Sequence, residues 1–256
     1  MSTANSYGLK LCARYAYVPS SLGFCGPEGA GKRLLSYALG KKTGGVRPVL
    51  SRFEALHPYL KLIAEENGMR DEFESEVVEA LWVGNRLLEA VETDAMRKMV
   101  SSQFRKHLPG KACLRLAKKI PDGCLPHHSF HVLYFGSVAG VIGKTIANQD
   151  MCRISWGKVA AKKGLLHVDS QKLAVESGRY ALKPSGKKAA YAVEGETYLD
   201  AKKGDTVSMH WGLAVEKLDR TRVARLQKYT LQNMRLITPI FTASSRPPAS
   251  ASPGLR

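Results

Sequence analysis

The sequence predicts an α+β protein: an all-helical N-terminal part, then a small β-barrel-like part closed by a C-terminal helix. Three observations predict this class. Apolar residues recur at helical spacing through the first 120 positions, short alternating runs divided by turn residues follow from position 151, and helical spacing returns at 220–237. A length of 256 residues accommodates one large domain or two modest ones.

Taken in order, "VLSRFEALHPYLKLIAEENG" (49–68) puts Leu50, Phe53, Leu56 and Leu60 near one face, with Gly68 as a stop. Pro58 is expected to kink this stretch or divide it. "FESEVVEALWVGNRLLEAV" (73–91) repeats the spacing through Phe73, Val77, Ala80 or Leu81, Leu87 and Leu88, and "TDAMRKMVSSQFRKHLPG" (93–110) runs from a Thr or Asp cap to Pro-Gly. Residues 121–150 then form a histidine-rich connection. From 151 the chain reads as strands, with one hairpin expected at Lys163-Gly164 and another around Pro184-Ser185-Gly186. In "TVSMHWGLAVEKL", Val207, Met209, Trp211, Leu213 and Val215 alternate onto an expected core face. Ser208, His210, Gly212, Ala214 and Glu216 share the other. The division is therefore 1–120 helical, 121–150 connecting, 151–237 barrel plus helix, and 238–256 a disordered Pro/Ser/Ala-rich tail.

Composition narrows the function classes. The longest apolar runs, 131–143 and 80–84, fall short of the roughly 18 residues that span a bilayer. The N-terminus shows no secretory pattern. Five cysteines without regular spacing argue against a disulfide framework, so a reducing cytoplasm is the expected setting. Net charge is +17, and residues 151–256 hold 19 Lys and Arg against 8 Asp and Glu. Such an excess favours acidic partners.

"GPEGAGKR" (26–33) matches most of a phosphate loop, with Gly26, Gly31 and Lys32 correctly spaced. Arg33 stands where a hydroxyl should hold Mg²⁺, and "YVPSSLGFC" is a poor buried strand. The segment reads as a turn feeding a helix.

Several short motifs point elsewhere. "MCRISWGKV" supplies Cys152, Gly157, Lys158 and Val159. "KKGDTVSMHWGLAVEKLD" (202–219) supplies Gly204, Asp205, His210, Gly212, Ala214, Glu216, Lys217, Leu218 and Asp219. In this order they resemble the hydrogenase formation chaperones of the HypC/HupF family over residues 151–237. With the added helical half, the chain also resembles an uncharacterised hydrogenase-associated family. The resemblance implies a five-stranded OB-like β-barrel with a terminal helix. It implies an accessory or maturation protein for [NiFe] hydrogenase, not an enzyme, that binds a HypD-like protein or a large-subunit precursor. It implies a transient iron intermediate held through Cys152 and His210, with Cys152, Arg153, Trp156 and His210 facing the partner. Two differences stand out: Cys152 is internal, so its amine lies in a peptide bond, and Trp156 replaces the family's proline.

The residues add their own detail. Cys152 is expected at a strand's first position, beside Ile154 and Trp156. Thiolate ligation there needs exposure and a positive neighbour, which Arg153 or Lys158 would supply. "CLPHHSFH" offers Cys124, His127, His128 and His131 as further metal ligands, or else a hydrogen-bonded hinge. As a ligand set it would face Cys152 and His210 across the junction. The alternative function is nucleic-acid binding by the barrel and a basic helix, with Arg220, Arg222, Arg225, Lys228 and Arg235 on the phosphates. Tyr229 or Trp211 would then stack on bases. No carboxylate pair or nucleophile–base spacing points to catalysis.

Overall fold

Nineteen residues from Thr3 to Ser21 form helix α1 and bury Leu9, Leu11, Cys12 and Tyr15. A computed structural model provides the coordinates and describes residues 3–41, 45–104, 110–135 and 145–239. Against α1 pack α2 (Ala30–Ala38), α3 (Val46–Leu50) and α5 (Ser75–Trp82), and α4 (His57–Glu66) packs on α5. The stretch 49–68 is divided as its proline requires: α3 ends at Leu50, and Pro58 sits in the first turn of α4, where its missing N–H costs nothing. A 3₁₀ turn (Arg86–Ala90) is capped by Asn85, and α6 (Thr93–Gln103) and α7 (Gly110–Lys118) pack on each other. Helix α8 (His128–Phe130) continues into a π turn (His131–Phe135), and α9 spans Ile146–Cys152.

The strands are β1 (Ser155–Lys163), β2 (Leu165–Glu176), β3 (Arg179–Ala189), the short pair β4 (Ala192–Val193) and β5 (Glu196–Thr197), β6 (Thr206–His210) and β7 (Leu213–Lys217). Helix α10 (Arg220–Leu236) closes the chain, its N-terminus capped by Asp219 accepting from the Arg222 N–H. Five strands form one antiparallel sheet in the order β3-β2-β1-β6-β7. Gly157 is required in β1, because a Cβ there would lie 2.1 Å from the Asp169 carbonyl oxygen on β2.

Three expectations are corrected. The sheet is not a closed barrel: β3 and β7 are its two edges, and they meet only at an isolated bridge, Ala190 with Leu213. The helical layer covers one face of the sheet, and the other face keeps a small core of its own. Leu173, Tyr180, Leu213 and Val215 share one apolar core with α1, α4 and α5, while Val159, Leu166, Val168, Val207 and Met209 form a smaller core on the opposite face. No turn forms at Pro184-Ser185-Gly186. Strand β3 runs through these residues and turns at Ser177-Gly178 instead, and Pro184 is tolerated because β3 is an edge. Finally, Cys152 does not begin a strand but ends helix α9. Thr145 caps that helix by accepting from the Asn148 N–H, and the Arg153 N–H still donates to the Gln149 carbonyl. Of the expected tail, residues 240–256 lie outside the described residues.

Candidate metal centre

Three elements converge beneath α1. Helix α8 supplies His128 from its first position, α9 supplies Cys152 from its last, and β6 supplies His210 from its end. One ligand atom of each lies within 4.8 Å of the others. The side chains are buried, with exposures of 8% for His128, 5% for Cys152 and 2% for His210.

His210 is held for ligation. Its Nδ1–H donates to the Tyr15 carbonyl of α1 at 2.8 Å, which leaves the lone pair on Nε2. Among the described residues Nε2 has no hydrogen-bond partner, and it is shut away from solvent. An orphaned buried acceptor is costly, and with a thiol and a second imidazole within 4.8 Å its lone pair is free for an electrophile. Burial pushes the His210 pKa down to about 4, keeping the imidazole neutral, as a metal ligand must be.

Cys152 Sγ lies 4.0 Å from His128 Nε2, and that same Nε2 is 3.0 Å from the Cys152 carbonyl oxygen. Here Nε2–H donates to the carbonyl, so ligation through Nε2 requires the proton on Nδ1. Burial, with the His210 ring next in effect, holds the His128 pKa well below the ordinary histidine range. Burial also pushes the Cys152 thiol up to about 12. A neutral thiol becomes a ligand only when the metal displaces its proton. Tetrahedral binding of sulfur and imidazole places the two donor atoms about 3.6 Å apart, so the 4.0 Å Cys152–His128 pair needs to close by about 0.4 Å and the widest pair, within 4.8 Å, by somewhat more than about 1 Å.

Aromatic rings wall the cluster. The Trp82 ring lies 4.5 Å from that of His128 and 5.7 Å from that of His210, and Tyr15 stacks on it at 5.0 Å. Behind them, the Tyr15 phenol donates to Glu216 Oε1 at 2.5 Å, and Arg222 bridges Glu216 and Glu79 at 2.8 and 2.7 Å. Burial lifts the Glu216 carboxyl above its usual range while Arg222 opposes it. The Arg14 side chain donates to the Val215 and Tyr198 carbonyls, fastening α1 to the sheet. Nothing local in the sequence announces Tyr15, Trp82 or Arg14. Their contacts with the site come from folding, and Tyr15 meets His210 across 195 positions.

The other candidates sit apart from the cluster. His127 caps α8, its Nδ1 accepting from the Ser129 N–H, and burial lowers its pKa to about 3. His131 packs edge-on to Tyr59, and its Nδ1 is 3.3 Å from the Tyr59 hydroxyl. Cys124 is buried elsewhere in the main core. Arg153, expected beside the thiol, is 1% exposed and turned towards Asp150, to which its guanidinium is paired at 2.8 Å. Asp150 also accepts from the Leu173 N–H and pairs with Lys187, pinning α9 to the sheet. Lys158 is exposed and Trp156 half-buried. On the basic helix, Arg222 and Lys228 are paired with carboxylates, and Tyr229 and Trp211 are buried, leaving neither ring open to a base. The phosphate-loop-like segment follows helix α1, not a strand. Among the described residues, no helix is long and apolar enough to cross a membrane.

A family model described as "Family of unknown function (DUF6390)" matches residues 4–243, so the chain belongs to that family. The match runs across both halves, and with the sheet open, the OB-like barrel expected over 151–237 does not stand. No curated protein and no solved structure matches the chain significantly.

Proposed function

We propose that this DUF6390 protein is a metal-binding accessory protein that holds a thiophilic transition-metal ion at His128, Cys152 and His210 during assembly of a [NiFe] hydrogenase. The observation that carries the metal-binding part is the unpartnered His210 Nε2, buried against a thiol and a second imidazole. One thiolate and two imidazoles suit iron, zinc or another borderline-soft ion, and three protein ligands leave a coordination position for a passenger group or a partner's ligand. Iron is the ion it carries. Its support is the order of short motifs around Cys152 and His210, which hydrogenase formation chaperones share. The same motifs support a HypD-like protein or a large-subunit precursor as partner. Five free cysteines support a reducing compartment such as the cytoplasm. The role is binding and hand-over, not catalysis.

In this arrangement Cys152 anchors the ion, Tyr15 fixes the His210 tautomer, and Trp82 keeps water from both imidazoles. The test is metal content and partner capture from native cells. The expected result is one metal per chain, with hydrogenase components captured, and loss of both on Cys152→Ala. Purified full-length protein without stoichiometric metal would overturn the site, and capture unchanged in Cys152→Ala would overturn the carrier role.

A further inference from the structure

The centre contains one contact that metal binding must break. His128 Nε2 lies 3.0 Å from the Cys152 carbonyl oxygen and 4.0 Å from the Cys152 sulfur, so one ring nitrogen faces two donor atoms of a single residue. That carbonyl ends helix α9. Carbonyls in the last turn of a helix find no partner within it, and here the N–H comes from His128. The turn that presents it is held in place. The Met151 carbonyl accepts from the Trp211 N–H at 2.8 Å, and the Gln149 carbonyl accepts from the Arg153 N–H at 2.9 Å. Asp150 ties the same turn to the Leu173 N–H and to Lys187.

Nε2 of His128 cannot donate to the carbonyl and bind a metal at once. With its proton on Nδ1, it turns a lone pair towards the carbonyl oxygen. The other imidazole is aligned in the same way. His210 Nε2 has no donor facing it among the described residues. Burial lowers the His210 pKa to about 4, and the Tyr15 and Cys152 carbonyls facing its ring oppose that. Lone pairs gathered in a space without water repel one another, and a buried carbonyl without a donor is unfavourable. A cation placed among them relieves both.

We infer that the Cys152 main-chain carbonyl is the fourth ligand of the ion, so that this residue chelates through both sulfur and oxygen. The inference rests on the metal-site proposal and adds what fills the position left by the three side chains. The distances suit it. Tetrahedral bonds of about 2.0–2.1 Å to nitrogen and about 2.1 Å to oxygen put those two donors about 3.4 Å apart. The 3.0 Å pair must open by about 0.4 Å while the 4.0 Å pair closes by a similar amount, and one small shift of the His128 ring serves both. Sulfur and oxygen of one cysteine close an unstrained chelate ring through Cβ, Cα and the carbonyl carbon. As the bonds form, the Cys152 thiol gives its proton to water and the His128 proton moves from Nε2 to Nδ1, with no oxidant or reductant involved. A neutral oxygen is the weakest of the four donors for a borderline-soft ion, so an incoming passenger group or partner ligand displaces it first.

The sequence allows this one carbonyl to be watched. Cys152 is the one cysteine followed by arginine, so carbon-13 at cysteine carbonyls with nitrogen-15 at arginine isolates the Cys152–Arg153 peptide in an NMR spectrum. Metal-free full-length protein is titrated with zinc, and then in a second sample with a magnetic cadmium isotope. The Cys152 carbonyl resonance is expected to shift until one equivalent is bound, and to show scalar coupling to cadmium, since through sulfur that carbon is too many bonds away to couple. A histidine nitrogen-15 label should show His128 Nε2 passing from protonated to metal-bound. Uptake of cadmium without coupling to that carbon overturns the fourth ligand and leaves the side-chain centre intact. A His128 Nε2 still protonated after loading also overturns it, because the hydrogen bond to the carbonyl has then survived. Failure of the protein to take up either ion overturns the centre and its fourth ligand together.

Discussion

The β2–β3 and β6–β7 hairpins turn over with nearly the same backbone and end in opposite surroundings. Ser177 and Gly178 have φ of 49° and 75°, and Trp211 and Gly212 have 50° and 76°. Two-residue turns with both φ positive match the twist of antiparallel strands. At the first turn both residues are exposed, and lower down Lys172 faces Lys183 directly, a pairing tolerable only in water. At the second, a tryptophan occupies a left-handed conformation that costs a bulky side chain of order 1–3 kcal/mol. It is held there because its N–H donates to the Met151 carbonyl and its ring stacks on Phe24. The hairpin geometry alone makes no site. The cover laid over β6–β7 by α1, α9 and the loop after α1 turns His210 from an exposed strand residue into an oriented ligand.

That contrast can be broken experimentally. Trp211→Ala removes a buried ring from the covered turn and is expected to destabilise the protein by about 3 kcal/mol or more, read by urea unfolding. Ser177→Ala at the open turn should stay within about 0.5 kcal/mol. Equal effects would deny the difference between the turns. His210→Ala is expected to weaken zinc affinity by about two orders of magnitude in a competition titration, whereas Lys172→Ala should leave it unchanged.

Acid sharpens the same comparison. Burial holds His127 near about 3, His210 near about 4, and His128 well below its ordinary value of 6.5. Once the pH falls below about 6.5 the unfolded chain protonates these rings while the folded protein does not. Stability is therefore full above that pH and is lost as pH drops towards 4, by up to about 1.4 kcal/mol per pH unit for each ring. Urea midpoints measured from pH 7.5 to 4.5 check the slope, and replacing His127 by Asn should make it shallower. The smallest effect is expected at the open turn, where Ser177→Asn, better suited to positive φ, should stabilise by a few tenths of a kcal/mol.

The sequence was informative wherever one element decides the outcome. Helical spacing around Leu60 and Val77, the break at Pro58 and the turn at Gly164 are local matters, and each is found at or near its place. Pro184-Ser185-Gly186 misled because its turn chemistry is equally compatible with an edge strand, and edge position is a property of the sheet. Alternation placed His210 opposite the strand's main apolar residues. It could not tell whether that face would meet water or Tyr15. Of the ligand candidates, the spacing within "CLPHHSFH" grouped His127 with His131. The structure instead sends His127 to a helix cap, His131 to Tyr59, and His128 alone to Cys152 and His210. Three residues drawn from α8, α9 and β6 share no local pattern, and only the tertiary fold selects them.

The central claim is most directly tested by X-ray absorption at the metal edge of full-length protein loaded with one equivalent of zinc or cobalt. One sulfur is expected at about 2.3 Å and two imidazole nitrogens at about 2.0–2.1 Å, with the sulfur lost in Cys152→Ser. A shell of oxygen and nitrogen without sulfur, or a sulfur retained in that variant, would contradict it.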